Sequence, residues 1–229
     1  MTEKDDIRDR ILAAAEQRFL HYGYGKTTMA EIAKDCDMSP GNLYRFFQGK
    51  LDLAEEIARA ATLDTMNELA RAIRAPGKTA TQAMRDYLFG KLRITYTNLE
   101  KDPKIIELAH TVSAERPAFT NDMLEREREI MMEILANGRE LGEFATKDVR
   151  YTAEMIQSAT MKFSYPQLWS RLTLANLEHE LTGVFDLVLG GLCPERALFA
   201  AGAAAGTAAS GGAETAPAVS VSEPAHRGV

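Results

Sequence analysis

The sequence contains little cysteine and no long apolar segment. Cys36 and Cys193 are its two cysteines, which are too few for a disulfide framework, and no cysteine or histidine pair has the spacing of a metal site. We therefore expect no metal and no cofactor, and a redox role for either thiol stays open. No apolar run is long enough to cross a bilayer, and the opening MTEKDDIRDR is too polar for a signal peptide, so a cytoplasmic protein without membrane contact is predicted.

The sequence also lacks an excess of positive charge and the common catalytic motifs. Its formal net charge of −6 excludes a protein that coats nucleic acid without regard to sequence, so any DNA contact has to come from a local surface. The motifs GxSxG and HExxH and the P-loop pattern are absent, and the histidines are scattered along the chain. We therefore do not expect an enzyme.

Helical spacing and capping signals are what the first part of the chain does contain. Apolar residues recur every three or four positions over residues 7–22, and Gly23 can end this first helix. The run Thr28-Met29-Ala30-Glu31 has the pattern of a capping box, in which the Thr hydroxyl and the Glu carboxylate each bind the backbone amide of the other residue. It predicts a second helix over about residues 28–36.

The stretch SPGNLYRFFQGK predicts a third helix of barely two turns. Ser39 is suited to the N-cap and Pro40 to the first helical position, where its missing amide hydrogen costs nothing. A fourth helix begins at Lys50 and continues to about Arg74, before Pro76-Gly77. Two short helices joined by a tight turn and braced by longer ones form a helix-turn-helix, which places its second helix in the major groove of DNA.

The residue types of the third helix suit contact with DNA. Asn42 and Arg45 can bind base edges, Asn preferring adenine and Arg preferring guanine, while Ser39 and Tyr44 can donate hydroxyl hydrogen bonds to phosphates. However, a helix-turn-helix also occurs as a plain structural hairpin, and residues 24–51 hold four basic against three acidic side chains. Helix spacing alone leaves DNA binding and a structural role equally open.

The run GYGKTTMAEIAKDCDMSPGNLYRFFQGKLDLAEEI resembles the DNA-binding domain of the TetR family of transcriptional regulators. The matching positions are Thr27, Thr28, Ile32, Ala33, Ser39, Gly41, Leu43, Tyr44, Phe47, Lys50 and Leu53. The resemblance implies the DNA-binding residues Thr27, Thr28, Ser39, Pro40, Gly41, Asn42, Tyr44, Arg45 and Lys50. Phe46 stands where His or Tyr is frequent in the family, so we expect one phosphate hydrogen bond to be missing.

The resemblance also implies the domain organisation. We expect an all-α fold with an N-terminal three-helix helix-turn-helix DNA-binding domain at residues 1–50 and a C-terminal helical ligand-binding and dimerisation domain at residues 51–195. Residues 196–229 are rich in Ala and Gly and contain almost no large apolar side chain. Such a segment cannot bury enough surface to order itself, so a disordered tail is predicted.

Apolar residues of the fourth and fifth helices are candidates for an effector pocket. The pocket candidates are Met66, Met84, Tyr87, Leu88 and Tyr96, with His110 as a polar group. Met and Leu at helical spacing are more often ordinary core residues, and that interpretation stays open for each of them. The charged run ERERE at residues 125–129 is predicted to be a solvated helix face.

Two later segments, residues 149–163 and 174–188, carry heptad-like apolar seams. Two such helices from each subunit can form a four-helix bundle across a two-fold axis. The candidate dimer residues are Ile156, Phe163, Leu177, Leu181, Val184 and Val188. A core seam within one chain is the alternative, and only the family resemblance favours the homodimer.

The resemblance implies a sequence-specific transcriptional regulator that binds a near-palindromic double-stranded DNA operator as a homodimer. Because most regulators that it resembles are repressors, we expect a repressor that a hydrophobic small-molecule effector releases, with control of efflux as the first expectation. The alternative is a ligand-binding or adaptor protein on a TetR-like scaffold that does not bind an operator. The polar residue types of the third helix favour the regulator, because an adaptor has no need of them.

Overall fold

The computed structural model describes residues 3–101, 103–164 and 173–193. The regular structure in these ranges is all helical, which confirms the predicted fold class. The helices are α1 (Glu3–Tyr22), α2 (Met29–Asp35), α3 (Pro40–Leu43), α4 (Lys50–Ile73), α5 (Ala80–Lys101), α6 (Pro103–Glu115), α7 (Pro117–Glu140), α8 (Val149–Ala159), α9 (Met161–Ser164) and α10 (Leu174–Leu192). None of these helices is long and apolar enough to span a membrane. The predicted tail at 196–229 lies outside the described residues.

The start of α2 is a capping box, as the sequence predicts. Thr28 Oγ1 accepts a hydrogen bond from the Glu31 amide at 3.3 Å, and the Glu31 carboxylate accepts one from the Thr28 amide at 2.9 Å. These two bonds satisfy amides that a helix start otherwise leaves without partners. At the far end of α2, Asp37 adopts φ 55°, a left-handed conformation that short polar side chains tolerate better than most.

A shared apolar core fixes α1, α2 and α3 against one another. The buried residues of this core include Ile11 and Phe19 of α1, Ile32 of α2 and Leu43 of α3. Leu53 of α4 is buried in the same cluster. Helices as short as α2 and α3 are not stable alone, so their positions depend on this packing. We call α1, α2 and α3 together the helix-turn-helix unit.

Helix α4 connects the helix-turn-helix unit to the rest of the molecule. It has 24 residues, which corresponds to a length of about 36 Å. Its early residues Leu53 and Ile57 and its late residues Met66 and Leu69 are all buried, and it packs against α1 as well as α5, α6 and α7. One continuous helix therefore contacts both the helix-turn-helix unit and the helical body.

The end of α7 packs closely against the chain that follows it. A Cβ atom at Gly138 would lie 2.1 Å from Phe144 Cδ2 and 2.8 Å from Ala80 Cβ. Phe144 is buried, and its amide donates a hydrogen bond to the Gly138 carbonyl at 3.0 Å. This turn requires a residue without a side chain at position 138, because Phe144 fills the space.

The third helix is shorter than the sequence predicts. The α-helix ends at Leu43, and the amides of Arg45 and Phe46 donate to the carbonyls of Asn42 and Leu43, three residues back. Such bonds tighten a helix into a turn. The segment after α3 therefore continues as a tight turn, not as a second α-helical turn.

The charged run at residues 125–129 is not solvated throughout, which corrects a second prediction. The Glu127 and Arg128 side chains are only 17% and 18% exposed. Glu127 forms an ion pair with Lys91 of α5 at 2.6 Å, and Arg128 donates to Gln157 of α8 at 3.1 Å. Glu127 and Arg128 of this run therefore face the protein interior, where each has a partner.

Candidate DNA interface and effector cavity

A cluster of polar side chains covers the outer surface of α3 and the turn after it. Asn42, Tyr44 and Arg45 are all exposed, and Tyr44 has 52% of its surface free although it is a large aromatic residue. Leu43 and Phe47 point the opposite way into the core. The two buried residues anchor the segment, so the three exposed side chains project from a fixed backbone.

The exposed caps of α2 and α3 lie beside this cluster. Ser39 Oγ accepts from the Asn42 amide at 3.3 Å, and Thr28 Oγ1 donates to Glu31 Oε2 at 2.8 Å. Pro40 and Gly41 are exposed as well, and a Cβ atom at Gly41 would meet nothing within 4 Å. The fold therefore does not need glycine at position 41. The absence of a side chain there leaves room for a partner surface.

Thr27 and Lys50 make contacts within the protein, and their DNA contact stays a prediction. Thr27 is only 2% exposed, and its hydroxyl donates to the Gly23 carbonyl at 3.0 Å. Lys50 Nζ donates to the carbonyls of Tyr24 and Thr27 at 2.6 and 2.8 Å and lies 4.2 Å from the centre of the Tyr24 ring. Burial lowers the pKa of Lys50. Both residues hold the loop between α1 and α2.

Arg18 pairs with acidic side chains of α2, which leaves basic side chains of this surface available to an anionic partner. Arg18 of α1 forms a bidentate ion pair with Asp35, with one contact at 2.9 Å, and lies 3.5 Å from Glu31. The hydrogen bond from Arg18 holds the pKa of Asp35 below its usual range. Lys34 and Arg45 are exposed, and no carboxylate of the described residues forms an ion pair with either. Arg18 thus offsets part of the acidic charge of α2, while Lys34 and Arg45 have no carboxylate partner in the described part of the chain.

A cavity of about 240 Å³ lies between α4, α5, α6 and α7. Its apolar lining includes Met66, Leu69, Leu99, Val112, Phe119, Met123 and Leu124, and its polar lining includes Thr62, Thr65, Tyr87, Lys91, Thr95, Asn98, Thr120 and Glu127. Of the predicted pocket residues, Met66 and Tyr87 line it. Leu88 lines a much smaller adjoining pocket. Met84 is fully buried in the core, Tyr96 does not line the cavity, and His110 is exposed on α6.

The polar wall of the cavity joins the predicted Tyr87 to Lys91, Thr120 and Glu127, which the sequence pattern did not indicate. Lys91 and Glu127 form their ion pair on this wall. The Tyr87 hydroxyl donates to the Glu127 carbonyl at 3.4 Å, and burial raises the pKa of Tyr87, so the phenol stays protonated. Thr120 Oγ1 is buried and has no hydrogen-bond partner among the described residues. The spacing of Tyr87, Lys91 and Thr95 at every fourth position of α5 is the signal that could have identified this wall.

Ion pairs and hydrogen bonds connect the cavity walls to the helix-turn-helix unit. Arg116, between α6 and α7, donates to Asp52 at 2.7 Å and to Glu55 at 3.0 Å on the early part of α4. Glu107 of α6 accepts from the Gly25 amide at 3.1 Å, in the loop that follows α1. Because α6 and α7 both line the cavity, these bonds join the cavity walls to the start of α4 and to the loop after α1.

A second group of contacts links the cavity wall itself to α4. Arg59 of α4 pairs with Glu55 at 3.0 Å and with Asp122 of α7 at 2.9 Å. Its guanidinium group also lies 4.9 Å from the centre of the Phe119 ring, a distance suited to a cation–π contact. Phe119 thus lines the cavity and also contacts Arg59 of α4.

The predicted dimer residues divide into two groups in the structure. Ile156, Phe163, Leu177 and Leu181 are already buried within one chain, whereas Val184 and Val188 are half-buried. The outward side chains beside them are large and apolar: Tyr151 and Met155 on α8 and Leu187 on α10, the last 80% exposed. A direct dimer contact stays a prediction for all six residues, four of which are already buried within one chain.

Models of known protein families match two parts of the chain. Residues 11–57 match bacterial regulatory proteins of the tetR family, and residues 80–185 match the tetracyclin repressor-like C-terminal domain. The first match includes α2, α3 and the start of α4, and the second extends from α5 into α10. The two matches thus cover most of the helix-turn-helix unit and the walls of the cavity that α5, α6 and α7 contribute.

Known regulators are similar to this chain over different lengths. The transcriptional repressor BepR of Brucella suis is 25% identical over 137 residues, which cover 58% of this chain and 63% of that protein. The transcriptional regulator QacR of Staphylococcus aureus is 42% identical over 52 residues, which cover 23% of this chain and 28% of that protein. The matched chain thus spans less than two thirds of the length of these relatives.

Solved structures share the fold as well. The structure of SmeT, the repressor of the Stenotrophomonas maltophilia multidrug efflux pump SmeDEF, superimposes with a TM-score of 0.59 at 19% identity and covers 81% of this chain and 90% of that chain. The matched models and relatives are regulators rather than enzymes, in agreement with the sequence analysis. On the two family models together, the chain belongs to the TetR family of bacterial regulatory proteins.

Proposed function

We propose that this protein is a sequence-specific transcriptional repressor that binds operator DNA as a homodimer and releases it when a small molecule fills the cavity. The observation that carries this proposal is the exposed surface of α3 and of the turn after it. Asn42, Tyr44 and Arg45 project together from a backbone that buried Leu43 and Phe47 hold in place. A purely structural hairpin gains nothing from three exposed side chains with this chemistry.

Each of these side chains has a distinct role in the proposed complex. Asn42 and Arg45 bind base edges in the major groove and determine the operator sequence. Tyr44, Ser39 and Thr28 donate hydroxyl hydrogen bonds to phosphates and set the position of the protein on the duplex. Thr27 and Lys50 support the complex indirectly by holding the loop before α2.

The proposed release mechanism follows the contacts between the cavity and α4. A molecule in the cavity displaces Phe119 of α7 or the facing residues of α6, and the ion pairs of Arg59 and Arg116 transmit this shift to α4. Since α4 packs on the helix-turn-helix unit, the two α3 helices of a dimer then no longer fit successive major grooves about 34 Å apart. The operator affinity falls by the coupling free energy between the two sites.

The regulated genes are proposed to include an efflux pump for hydrophobic compounds. Most of the cavity surface is apolar, as a site for small hydrophobic molecules requires, although about half of the lining residues carry a polar group. BepR is named as a repressor, and SmeT is named as the repressor of a multidrug efflux pump. These names support repression and efflux as the first hypotheses to test.

The DNA-binding part of the proposal is tested by selection from a library of genomic DNA fragments. The purified protein is incubated with the fragments, and the bound DNA is sequenced after several rounds. We expect enrichment of a near-palindromic motif with two half-sites about one helical turn apart. If repeated rounds enrich no motif, the adaptor hypothesis replaces the repressor. Arg45→Ala is the matched variant, and it is expected to relax the motif at one position of each half-site.

A further inference from the structure

The charges that line the cavity cancel. Among the described residues, Lys91 and Glu127 are the two charged side chains of the lining, and their ion pair measures 2.6 Å. Both side chains are only 17% exposed. Water therefore screens them weakly, and a further charge placed beside them would find no opposite charge to compensate it.

The residues of this wall keep hydrogen-bond donors and acceptors that have no partner among the described residues. An ammonium group has three donors, and the described partner of Lys91 Nζ is Glu127 Oε2 alone. Glu127 Oε2 also lies 3.5 Å from Gln157 Nε2, while Oε1 accepts no hydrogen bond within the described ranges. The buried Thr120 Oγ1 likewise lacks a partner there. Lys91 and Glu127 thus keep donor and acceptor capacity on the cavity lining.

The size and remaining walls of the cavity define the body of its ligand. Phe119, Met123, Met66 and Leu69 contribute apolar surface on several sides. A cavity of about 150 Å³ with apolar walls is large enough for benzene, so the present cavity of about 240 Å³ accommodates a body of about two fused rings. Burial of such a body supplies the main part of the binding free energy.

We infer that the Lys91–Glu127 pair selects electrically neutral effectors that carry a hydroxyl group on an apolar body of about two rings. A hydroxyl group both donates and accepts, so it can bind Lys91 Nζ and Glu127 Oε1 at once without adding charge. An ion of either sign would meet one like and one opposite charge of this pair, so it would gain no net attraction to offset the hydration that it loses. This inference rests on the proposed function, because it assumes that the cavity is the effector site.

Three ligands of nearly equal shape test the inference: naphthylmethanol, naphthoate and naphthylmethylammonium. Isothermal titration calorimetry measures the affinity of the full chain for each of them. We expect the wild-type protein to bind the alcohol at least about tenfold more tightly than either ion, a difference of about 1.4 kcal/mol. Glu127→Gln leaves Lys91 without an anion and is expected to favour naphthoate by a similar factor. Lys91→Gln is expected to favour the ammonium compound.

Further variants separate a charge effect from a structural effect. The double variant Lys91→Gln with Glu127→Gln has a neutral wall again, so its preference should return to the alcohol. Lys78→Gln and Glu133→Gln are the matched controls, because they remove one member of the ion pairs Lys78–Asp86 and Arg74–Glu133, outside the cavity lining. Both controls are expected to keep the wild-type preference.

The outcomes distinguish this inference from the proposed function. If the alcohol binds and releases DNA but neither single variant changes the charge preference, the inference is overturned and the proposed function stands. If the charge preference changes as expected while no ligand ever releases DNA, the inference stands and the release mechanism fails. If none of the three ligands binds to the wild-type protein, or an ion binds as tightly as the alcohol, the inference is overturned.

Discussion

The ammonium group of Lys50 lies under the loop between α1 and α2, where it binds the carbonyls of Tyr24 and Thr27. Lys50→Met removes both hydrogen bonds and leaves the buried carbonyls partly unsatisfied. We expect the free energy of unfolding to fall by roughly 1–3 kcal/mol, measured by urea denaturation. Lys34→Met is the control, because Lys34 is exposed on α2, and it is expected to change stability by about 0.5 kcal/mol or less. Equal stabilities of the two variants would contradict the supporting role of Lys50.

Asn42 and Tyr44 are neighbours on the exposed surface of α3 but differ in what they are proposed to bind. Asn42→Ala removes a base contact, so operator affinity should fall and the preference at one base pair should relax by roughly 1–3 kcal/mol. Tyr44→Phe removes only the hydroxyl, so affinity should fall by a similar factor on every duplex. Fluorescence anisotropy with a set of single-base operator variants measures both effects. Equal losses for Asn42→Ala on every duplex would remove its proposed role in base recognition.

The sequence could predict which side chains of α3 are exposed, but not the positions of Thr27 and Lys50. Leu43 and Phe47 are apolar and four residues apart, so the polar residues between them have to face outward. The partners of Thr27 and Lys50 are backbone carbonyls of a loop. No pattern of side chains specifies the geometry of these carbonyls. The sequence alone therefore does not distinguish a residue that bonds the loop backbone from one that contacts DNA.

Helix α7 ends at a packing point that a single substitution can test. Gly138→Ala places a Cβ atom 2.1 Å from the ring of buried Phe144. We expect the free energy of unfolding to decrease by roughly 1–3 kcal/mol, because the ring has to move within a packed core. Gly190→Ala on α10 is the matched control, since its Cβ atom would meet nothing within 4 Å. That variant should be as stable as the wild type or more stable by about 0.5–1 kcal/mol. If thermal and urea unfolding rank the two variants in the opposite order, the packing account of α7 is wrong.

The starts of the helices are easier to predict from the sequence than their ends or their shared surfaces. The capping box at Thr28 and the Ser39–Pro40 pair are local signals that require no tertiary information, and both are present in the structure. The early end of α3 has no such local signal, and buried Phe47 follows in the turn after it. The cavity wall depends on the meeting of Lys91 and Glu127, which are 36 positions apart in the chain, and neither residue alone indicates it.

The dimer proposed for the whole molecule is expected to form through the outward surface of α8 and α10. Leu187 is 80% exposed there, beside the half-buried Val184 and Val188, and a solvated leucine in an apolar patch is typical of an interface. Leu187→Glu should therefore convert the protein to a monomer in sedimentation velocity experiments while leaving its helix content unchanged. The control is Leu141→Glu, because Leu141 is also exposed but lies after α7. Identical sedimentation of both variants and the wild type would contradict this interface.

The net charge of the whole molecule makes DNA binding a direct test of sequence specificity. The formal net charge of −6 disfavours binding to arbitrary DNA, so any tight complex has to come from the specific contacts of α3. The most direct measurement is a fluorescence anisotropy titration of the wild-type protein on the DNA upstream of its own gene or on the selected operator, at two salt concentrations, with scrambled duplex as competitor. We predict tight binding that excess scrambled DNA does not displace and that added salt weakens only moderately. Equal displacement by scrambled and operator DNA would contradict the account of this protein as a sequence-specific repressor.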